Sequence, residues 1–195
     1  LNANAASPGT GLWSIVSGPG VITNVNNAST TITGVTAGDG SVPTVVRWTI
    51  DNGVCGFTNE DITLINYTTP TVSNAGVDQS KCTDGDFTLA GNVALSGVGT
   101  WTIQGAANGA SITGGEENLA NATVTGLTAG TSVTLRWTIV NGVCAASFDE
   151  VVLTNLSAAP IADAGVDIDQ CATSTFTLNA NAASPGTGLW SIVSG

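Results

Sequence analysis

The sequence contains no histidine and no methionine, and its only cationic side chains are Arg47, Lys81 and Arg136. There are 14 acidic residues, so the formal net charge at pH 7 is −11. Nucleic-acid binding depends on lysine and arginine to neutralise phosphates, and this charge balance argues against nucleic acid as a partner. The excess of acids instead favours solubility and discourages non-specific association.

Catalytic and cofactor chemistry also lacks its usual residues. Without histidine, a serine or cysteine nucleophile has no ordinary general base to activate it. No glycine-rich phosphate loop stands between a predicted strand and a predicted helix. We therefore expect no enzyme activity, no cofactor and no catalytic residue.

Long apolar segments are missing as well. No apolar run approaches the ~18 residues that a membrane-spanning helix requires, so we expect no membrane insertion. Charged residues make up only 9% of the chain and its mean hydropathy is +0.30, which argues against disorder driven by charge. The composition is that of a folded protein.

The chain contains a long repeat. Residues 1–18 (LNANAASPGTGLWSIVSG) recur unchanged as residues 178–195, and identity over such a stretch indicates a tandem array of nearly identical copies. We expect the two segments to adopt the same structure, because identical sequence in an identical domain context has the same energy minimum.

A second and weaker period, of about 89 residues, lies within the long repeat. It relates Cys82 to Cys171 and Arg47 to Arg136. We predict three units: residues 1–72 are a domain without its first strand, 73–160 are a complete domain, and 161–195 are the opening strands of the next domain.

Strand patterns recur along the complete domain, and helical periodicity does not. Val133, Leu135, Trp137 and Ile139 alternate with polar residues, as half-buried strands require. Glycine-rich breaks separate such runs at intervals typical of a β-sandwich. The predicted fold is therefore all-β: tandem immunoglobulin-like β-sandwich domains of Greek-key type, each of about 89 residues.

Asn141-Gly142 and Asn52-Gly53 each predict a two-residue hairpin turn, since both residue types tolerate a positive φ. In this register Arg136 faces Ser147 on the outward side, and Trp137 faces Ala146 on the inward side. The remaining predicted neighbours are Asp149, diagonal to Arg136, and Glu60, beside Arg47.

Several cassettes of the complete domain resemble a known family. They are AGVDQSKC (75–82), GTW (99–101), VTGLTAGT (124–131), LRWTIVNGVC (135–144) and DEVVLTN (149–155). Together they resemble the PKD-like and immunoglobulin-like repeats of giant secreted surface proteins of Bacteroidetes-type bacteria, including adhesins tied to gliding motility. The resemblance implies a stalk or filament that is extracellular and at the cell surface.

The four cysteines fall at equivalent places, one in each opening segment and one just past each Asn-Gly pair. We predict a disulfide between Cys82 and Cys144 within the complete domain, and bonds of Cys55 and Cys171 between successive copies. A bridge closing roughly sixty residues stabilises a domain by about 4 kcal/mol and implies an oxidising compartment. The alternative is buried free thiols.

Two further groups of side chains have competing interpretations. The tryptophans, in phase with the apolar residues of their strands, are interpreted as core residues, the alternative being platforms for stacking sugars. Three acids, Asp163, Asp167 and Asp169, could meet Asp149 and Glu150 in a calcium site at a domain junction. No established calcium-binding pattern is present, so we favour a solvated acidic linker and expect no metal.

Three functions remain. The first is a structural repeat in a giant polypeptide whose identical copies join end to end along a fibre. The second is a discrete subunit that polymerises when residues after Asp163 complete the first domain of the next copy. Against it, residues 178–195 and 1–18 would compete for one position. The third is a module that binds carbohydrate or another surface, such as surface glycans, with avidity from its repeats.

Overall fold

The computed structural model describes residues 1–82 and 84–194. Nearly all regular structure in them is β-strand, apart from one 3-10 turn at Gly53–Cys55. The strands of the first domain are β1 (Thr10–Ser17), β2 (Val21–Ile22), β3 (Ile32–Thr33), β4 (Ala37–Gly38), β5 (Thr44–Asp51), β6 (Phe57–Leu64) and β7 (Asn66–Tyr67). The strands of the second domain are β8 (Gln79–Cys82), β9 (Phe87–Thr88), β10 (Val98–Gln104), β11 (Ser111–Ile112), β12 (Thr123–Thr125), β13 (Thr131–Val140) and β14 (Ser147–Leu156). No helix in these residues is long and apolar enough to cross a membrane.

The second domain is a seven-stranded sandwich. One sheet has the strand order β10-β13-β14-β8 and the other has the order β11-β12-β9. Neighbouring strands are antiparallel, except that β8 runs parallel to β14. The chain thus crosses between the two sheets several times, with the hairpins β11-β12 and β13-β14 each within one sheet, as in immunoglobulin-like Greek-key domains. The predicted fold class is confirmed.

Alternation along the strands builds the core of this sandwich. Val133, Leu135, Trp137 and Ile139 of β13 are all buried, whereas the residues between them are not. The Trp137 ring packs on Trp101 of the neighbouring strand, with ring centroids 4.9 Å apart. The tryptophans of the second domain are therefore core residues, in keeping with the burial that their strand phase predicts.

A glycine beside the tryptophan pair explains the GTW cassette. A Cβ on Gly99 would lie 2.1 Å from the Trp137 ring, so only glycine lets that ring cover the backbone of β10. Gly11 has the same relation to Trp48 in the first domain, also at 2.1 Å. Both domains thus use one packing arrangement, although most of their sequence has diverged.

The core of the first domain is smaller and more open than that of the second domain. Its main sheet has the order β1-β5-β6, and β2-β3 and β4-β7 form two small pairs. The fully buried core consists of Trp13, Val46 and Trp48. Seven of the eight residues of β6 are exposed, and within the described ranges no strand pairs with the outer edge of β6. The corresponding edge of β14 is covered by β8.

The two identical segments differ in structure. Residues 10–17 form β1, whereas residues 178–194 contain no strand. Trp13 is 3% exposed, and Trp190, its counterpart, is 51% exposed. The prediction that both segments fold alike is therefore wrong within this chain. β1 is held by β5, and none of the described strands pairs with residues 178–194.

The hairpin registers differ from the predicted ones. Arg136 faces Glu150 rather than Ser147, Trp137 faces Asp149 rather than Ala146, and Arg47 faces Asp61 rather than Glu60. Residues 141–146 and 52–56 form the connections, so neither is a two-residue turn. The outward position of the arginines and the inward position of Trp137 are nevertheless as predicted. Each loop contains a turn of four residues instead. The Asn141 carbonyl accepts the Cys144 amide, and the Asn52 carbonyl accepts the Cys55 amide.

Candidate domain junction

The loop after β13 forms the end of the second domain that faces the first. Its first residue, Asn141, is 4% exposed, so its side-chain amide must find partners within the protein. The Nδ2 atom donates to the carbonyl oxygens of Thr68 at 2.9 Å and of Gly38 at 3.0 Å. Two hydroxyls, Thr68 Oγ1 and Ser96 Oγ, lie at 3.1 and 3.2 Å from the same nitrogen. Asn141 therefore joins the first domain, the second domain and the linker between them, residues 68–73.

The linker itself is bound along its length to the second domain. The hydroxyls of Thr68 and Ser96 are 2.6 Å apart, and the Thr71 amide donates to the Ser96 carbonyl at 3.0 Å. Two residues later, Ser73 makes a reciprocal pair with Ser147 through hydrogen bonds of 2.9 and 2.8 Å. These bonds fix the linker, since its polar backbone groups have partners in folded strands and loops.

A tight aromatic contact completes the junction. A Cβ on Gly142 would lie 2.4 Å from the ring of Tyr67, so the ring rests directly on the glycine backbone. Gly142 also has a φ of 55°, which glycine adopts without strain. The Asn-Gly pair is thus required by the contact between domains as well as by the turn.

The cysteines lie at the ends of the domains. The Sγ of Cys144 is 3.4 Å from the Thr68 carbonyl oxygen and 3.8 Å from that of Tyr67, within the junction. Cys82 ends β8 and is in register with Leu156, the last residue of β14. The ten residues of β14 separate the two thiols, which is roughly 30 Å at ~3.3 Å per residue. A disulfide requires Cα atoms within about 7 Å.

The structure therefore does not bring Cys82 to Cys144, and the pairing predicted within one domain needs correction. The prediction rested on the presence of one cysteine in the opening segment and one past the Asn-Gly pair, whereas β8 runs parallel to β14 and carries Cys82 away from the loop of Cys144. Cys55 and Cys171 are exposed thiols in this chain. Their bonding between successive copies remains a prediction.

The start of the second domain is repeated in residues 161–181. Asn92 donates to the Val72 carbonyl at 2.9 Å and accepts the Asn74 amide at 2.8 Å. Eighty-nine positions later, Asn181 donates to the Ile161 carbonyl at 2.9 Å and accepts the Asp163 amide at 2.8 Å. The segment thus has the local structure of a domain opening, even though its side chains are largely exposed.

The far ends of the two domains also match. Asn155 donates to the Leu127 carbonyl at 2.7 Å, and Asn66 donates to the Val35 carbonyl at 3.0 Å. The next residue is Leu156 in the second domain and Tyr67 in the first. Leu156 therefore has the position that Tyr67 has at the junction described above.

Two of the five acids considered for a calcium site bind groups within the second domain. Asp149 accepts the Ala75 amide at 2.8 Å, and Glu150 binds Arg136 at 2.6 Å. Neither lies with Asp163, Asp167 and Asp169, and the described part of the chain holds no group of three residues able to bind a metal ion.

An exposed ion pair occupies the equivalent place in the first domain. Arg47 binds both carboxylate oxygens of Asp61, at 2.7 and 2.9 Å. The hydrogen bond from Arg47 lowers the pKa of Asp61, and its charge acts in the same direction.

No family model matches this chain, and no curated protein matches it. Solved structures with similar folds include human CDH23 EC21-23, at 13% identity and a TM-score of 0.38 over 92% of this chain and 76% of that one. The insect immune protein hemolin has 14% identity and a TM-score of 0.35, over 80% of this chain and 47% of its own. The human desmocollin-1 ectodomain has 11% identity and a TM-score of 0.30, over 82% and 36%. At such scores these similarities assign no function.

Proposed function

We propose that this chain is a structural repeat unit of an extracellular filament or stalk, within a giant adhesin-like protein at the cell surface. The observation that carries the proposal is the junction at Asn141, where a buried side chain holds two domains and their linker together. Fixed joints keep a chain of domains stiff and its spacing defined, and this joint is fixed by specific hydrogen bonds.

The exact repetition of residues 1–18 supports the array. When each domain has the same two ends, the same junction can form between every pair of neighbouring domains. Both ends are repeated in this chain. The partners of the chain are then identical copies of itself along the fibre.

A second candidate, the subunit that polymerises by strand donation, is favoured by the uncovered edge of β6 and the exposed residues 161–177. The carbohydrate-binding alternative has less support, because Trp13, Trp48, Trp101 and Trp137 are all buried and present no stacking face. Trp190 is exposed in this chain, but its identical counterpart Trp13 is buried.

Electrophoresis of the native protein separates the first two candidates. Cells that produce the protein are boiled in detergent with a reducing agent, and the blot is developed with an antibody against residues 73–160. We expect a band far above 19.3 kDa, because the repeats belong to one polypeptide. A band near 19.3 kDa would instead establish the discrete subunit. Immunogold labelling of intact cells with the same antibody should decorate surface fibres. Unlabelled intact cells together with cytoplasmic label in thin sections of fixed cells would contradict an extracellular role.

A further inference from the structure

The uncovered edge of β6 in the first domain corresponds to an edge of β14 that is paired with a strand in the second domain. There, the last long strand β14 pairs along its outer edge with β8, from Leu153 opposite Gln79 to Leu156 opposite Cys82. In the first domain β6 and β7 occupy the place of β14, and no described strand pairs with their outer edge. The indole Nε1 of Trp48 is also buried without a partner among the described residues, whereas its counterpart in Trp137 donates to Asn92.

Residues 161–177 carry the missing strand. They correspond to residues 72–88 at the same 89-residue spacing, and residues 161–181 already have the hydrogen bonds of a domain opening. Ile168 to Cys171 therefore correspond to β8, Gln79–Cys82. When this segment of one copy covers the first domain of the next copy in the register of β8, Cys171 lies opposite Tyr67.

The thiol of Cys144 lies beside this position. Its Sγ is 3.8 Å from the Tyr67 carbonyl oxygen and 3.4 Å from that of Thr68. The amide of the following residue, Thr68, donates to the carbonyl oxygen of Gly38 in β4. Consecutive residues of a strand direct their backbone groups to alternate edges, so the Tyr67 carbonyl points to the edge opposite β4. A cysteine that pairs with Tyr67 at this edge is thus a neighbour of Cys144.

The same geometry applies at the other end of the second domain. Cys82 is in register with Leu156, which has the position of Tyr67. In the array, the second domain is followed by the first domain of the next copy. If that domain docks in the way that the second docks on the first, its loop cysteine, Cys55, lies beside Leu156. In this chain Cys55 and the neighbouring Asn52 are exposed, as an undocked loop would be.

We propose that every domain junction is closed by a disulfide between the opening-strand cysteine of one domain and the loop cysteine of the following domain. Cys171 bonds to Cys144 of the next copy, and Cys82 bonds to Cys55 of the next copy. The inference rests on the end-to-end arrangement of the proposed function, but it replaces the pairing of Cys82 with Cys144 that the sequence suggested.

Each bond forms by oxidation of two thiols, which release two protons and two electrons as the S–S bond is made. The electrons pass to the disulfide of a thiol–disulfide oxidoreductase, or of oxidised glutathione in vitro, which is reduced to two thiols. The two cysteines of each pair lie at one junction, so no rearrangement of either sandwich is needed.

Disulfide mapping of the protein as secreted tests the proposal. Free thiols are blocked with iodoacetamide, the unreduced protein is digested, and the linked peptides are identified by mass spectrometry. We expect Cys171 linked to Cys144 and Cys82 linked to Cys55. Linkage of Cys82 to Cys144, linkage of Cys55 to Cys171, or alkylation of all four thiols would overturn the proposal.

Two matched variants sharpen the result. In Cys144→Ser, Cys171 alone should become alkylated, while the Cys82–Cys55 link persists. In Cys82→Ser, Cys55 alone should become alkylated. Release of Cys82 by Cys144→Ser would contradict the proposed pairing. The reducing gel judges the giant polypeptide separately: if it yields a 19.3 kDa band while mapping finds both links, the array proposal fails and the junction disulfides stand.

Discussion

The Nδ2 atom of Asn141 donates a hydrogen bond of 2.9 Å to the carbonyl oxygen of Thr68, 73 positions earlier in the chain. This bond joins the loop of one domain to the linker that enters it. Its counterpart in the first domain, Asn52, is exposed and makes no capping hydrogen bond through its side chain. One Asn-Gly pair therefore acts as a joint between the two described domains, whereas the other is exposed.

Replacing Asn141 should loosen the joint. Asn141→Ala removes the side-chain donor that the Thr68 and Gly38 carbonyls share, and we expect the free energy of unfolding to fall by about 1–3 kcal/mol in urea titrations. Chymotrypsin should also cleave faster after Tyr67, because the linker loses the hydrogen bond that holds the Thr68 carbonyl to the second domain.

Asn52→Ala in the same chain is the matched control for this joint. It should change the free energy of unfolding by less than ~0.5 kcal/mol and leave cleavage after Tyr67 unaltered. Equal effects of the two substitutions would show that Asn141 acts only within its own turn.

Neighbouring residues of β13 should differ sharply in their effect on stability. Trp137→Ala removes a ring packed on Trp101 and Gly99, and we expect a loss of ~3–5 kcal/mol in the free energy of unfolding. Arg136→Ala breaks an exposed pair with Glu150 and should cost only ~0–1 kcal/mol. Urea titration of both variants measures the difference, and a larger loss for Arg136→Ala would show that the core has been misplaced.

The ion pair of the first domain should be visible in the titration of one carboxylate. Arg47 lowers the pKa of Asp61 from its ordinary value of 3.8 through the hydrogen bond between them. Arg47→Ala should therefore raise the pKa of Asp61, as followed by the carboxyl carbon shift in NMR. Because the folded pKa is depressed, this pair stabilises the fold above the ordinary pKa, and the contribution is lost as pH falls through the lowered value.

Asp39 provides an internal reference for that titration. Its pKa is also lowered, but by hydrogen bonds from Ser41 rather than by an arginine. It should titrate identically in the wild type and in Arg47→Ala. An unchanged Asp61 in the variant would mean that the pair does not form in solution.

The alternation of apolar residues was enough to predict the sandwich, the buried tryptophans and the outward arginines. It could not predict the loops, because the length of a connection depends on what the loop touches. The Asn141 amide is turned toward Thr68 and Gly38, and this contact belongs to a neighbouring domain. Nor could it predict the place of Cys82, since the same residues can pair with a neighbour in either direction, and here β8 is parallel to β14.

The identical segments 1–18 and 178–195 show most clearly what the sequence determines and what only the tertiary structure decides. The sequence by itself determined that a repeat exists, where its cysteines and glycines recur, and which faces are apolar. It did not determine that residues 10–17 form a strand and residues 187–194 do not. That outcome depends on β5, whose backbone and Trp48 ring satisfy and cover β1. A strand is stabilised by its neighbours, so an identical segment without them has neither hydrogen-bond partners nor a core to enter.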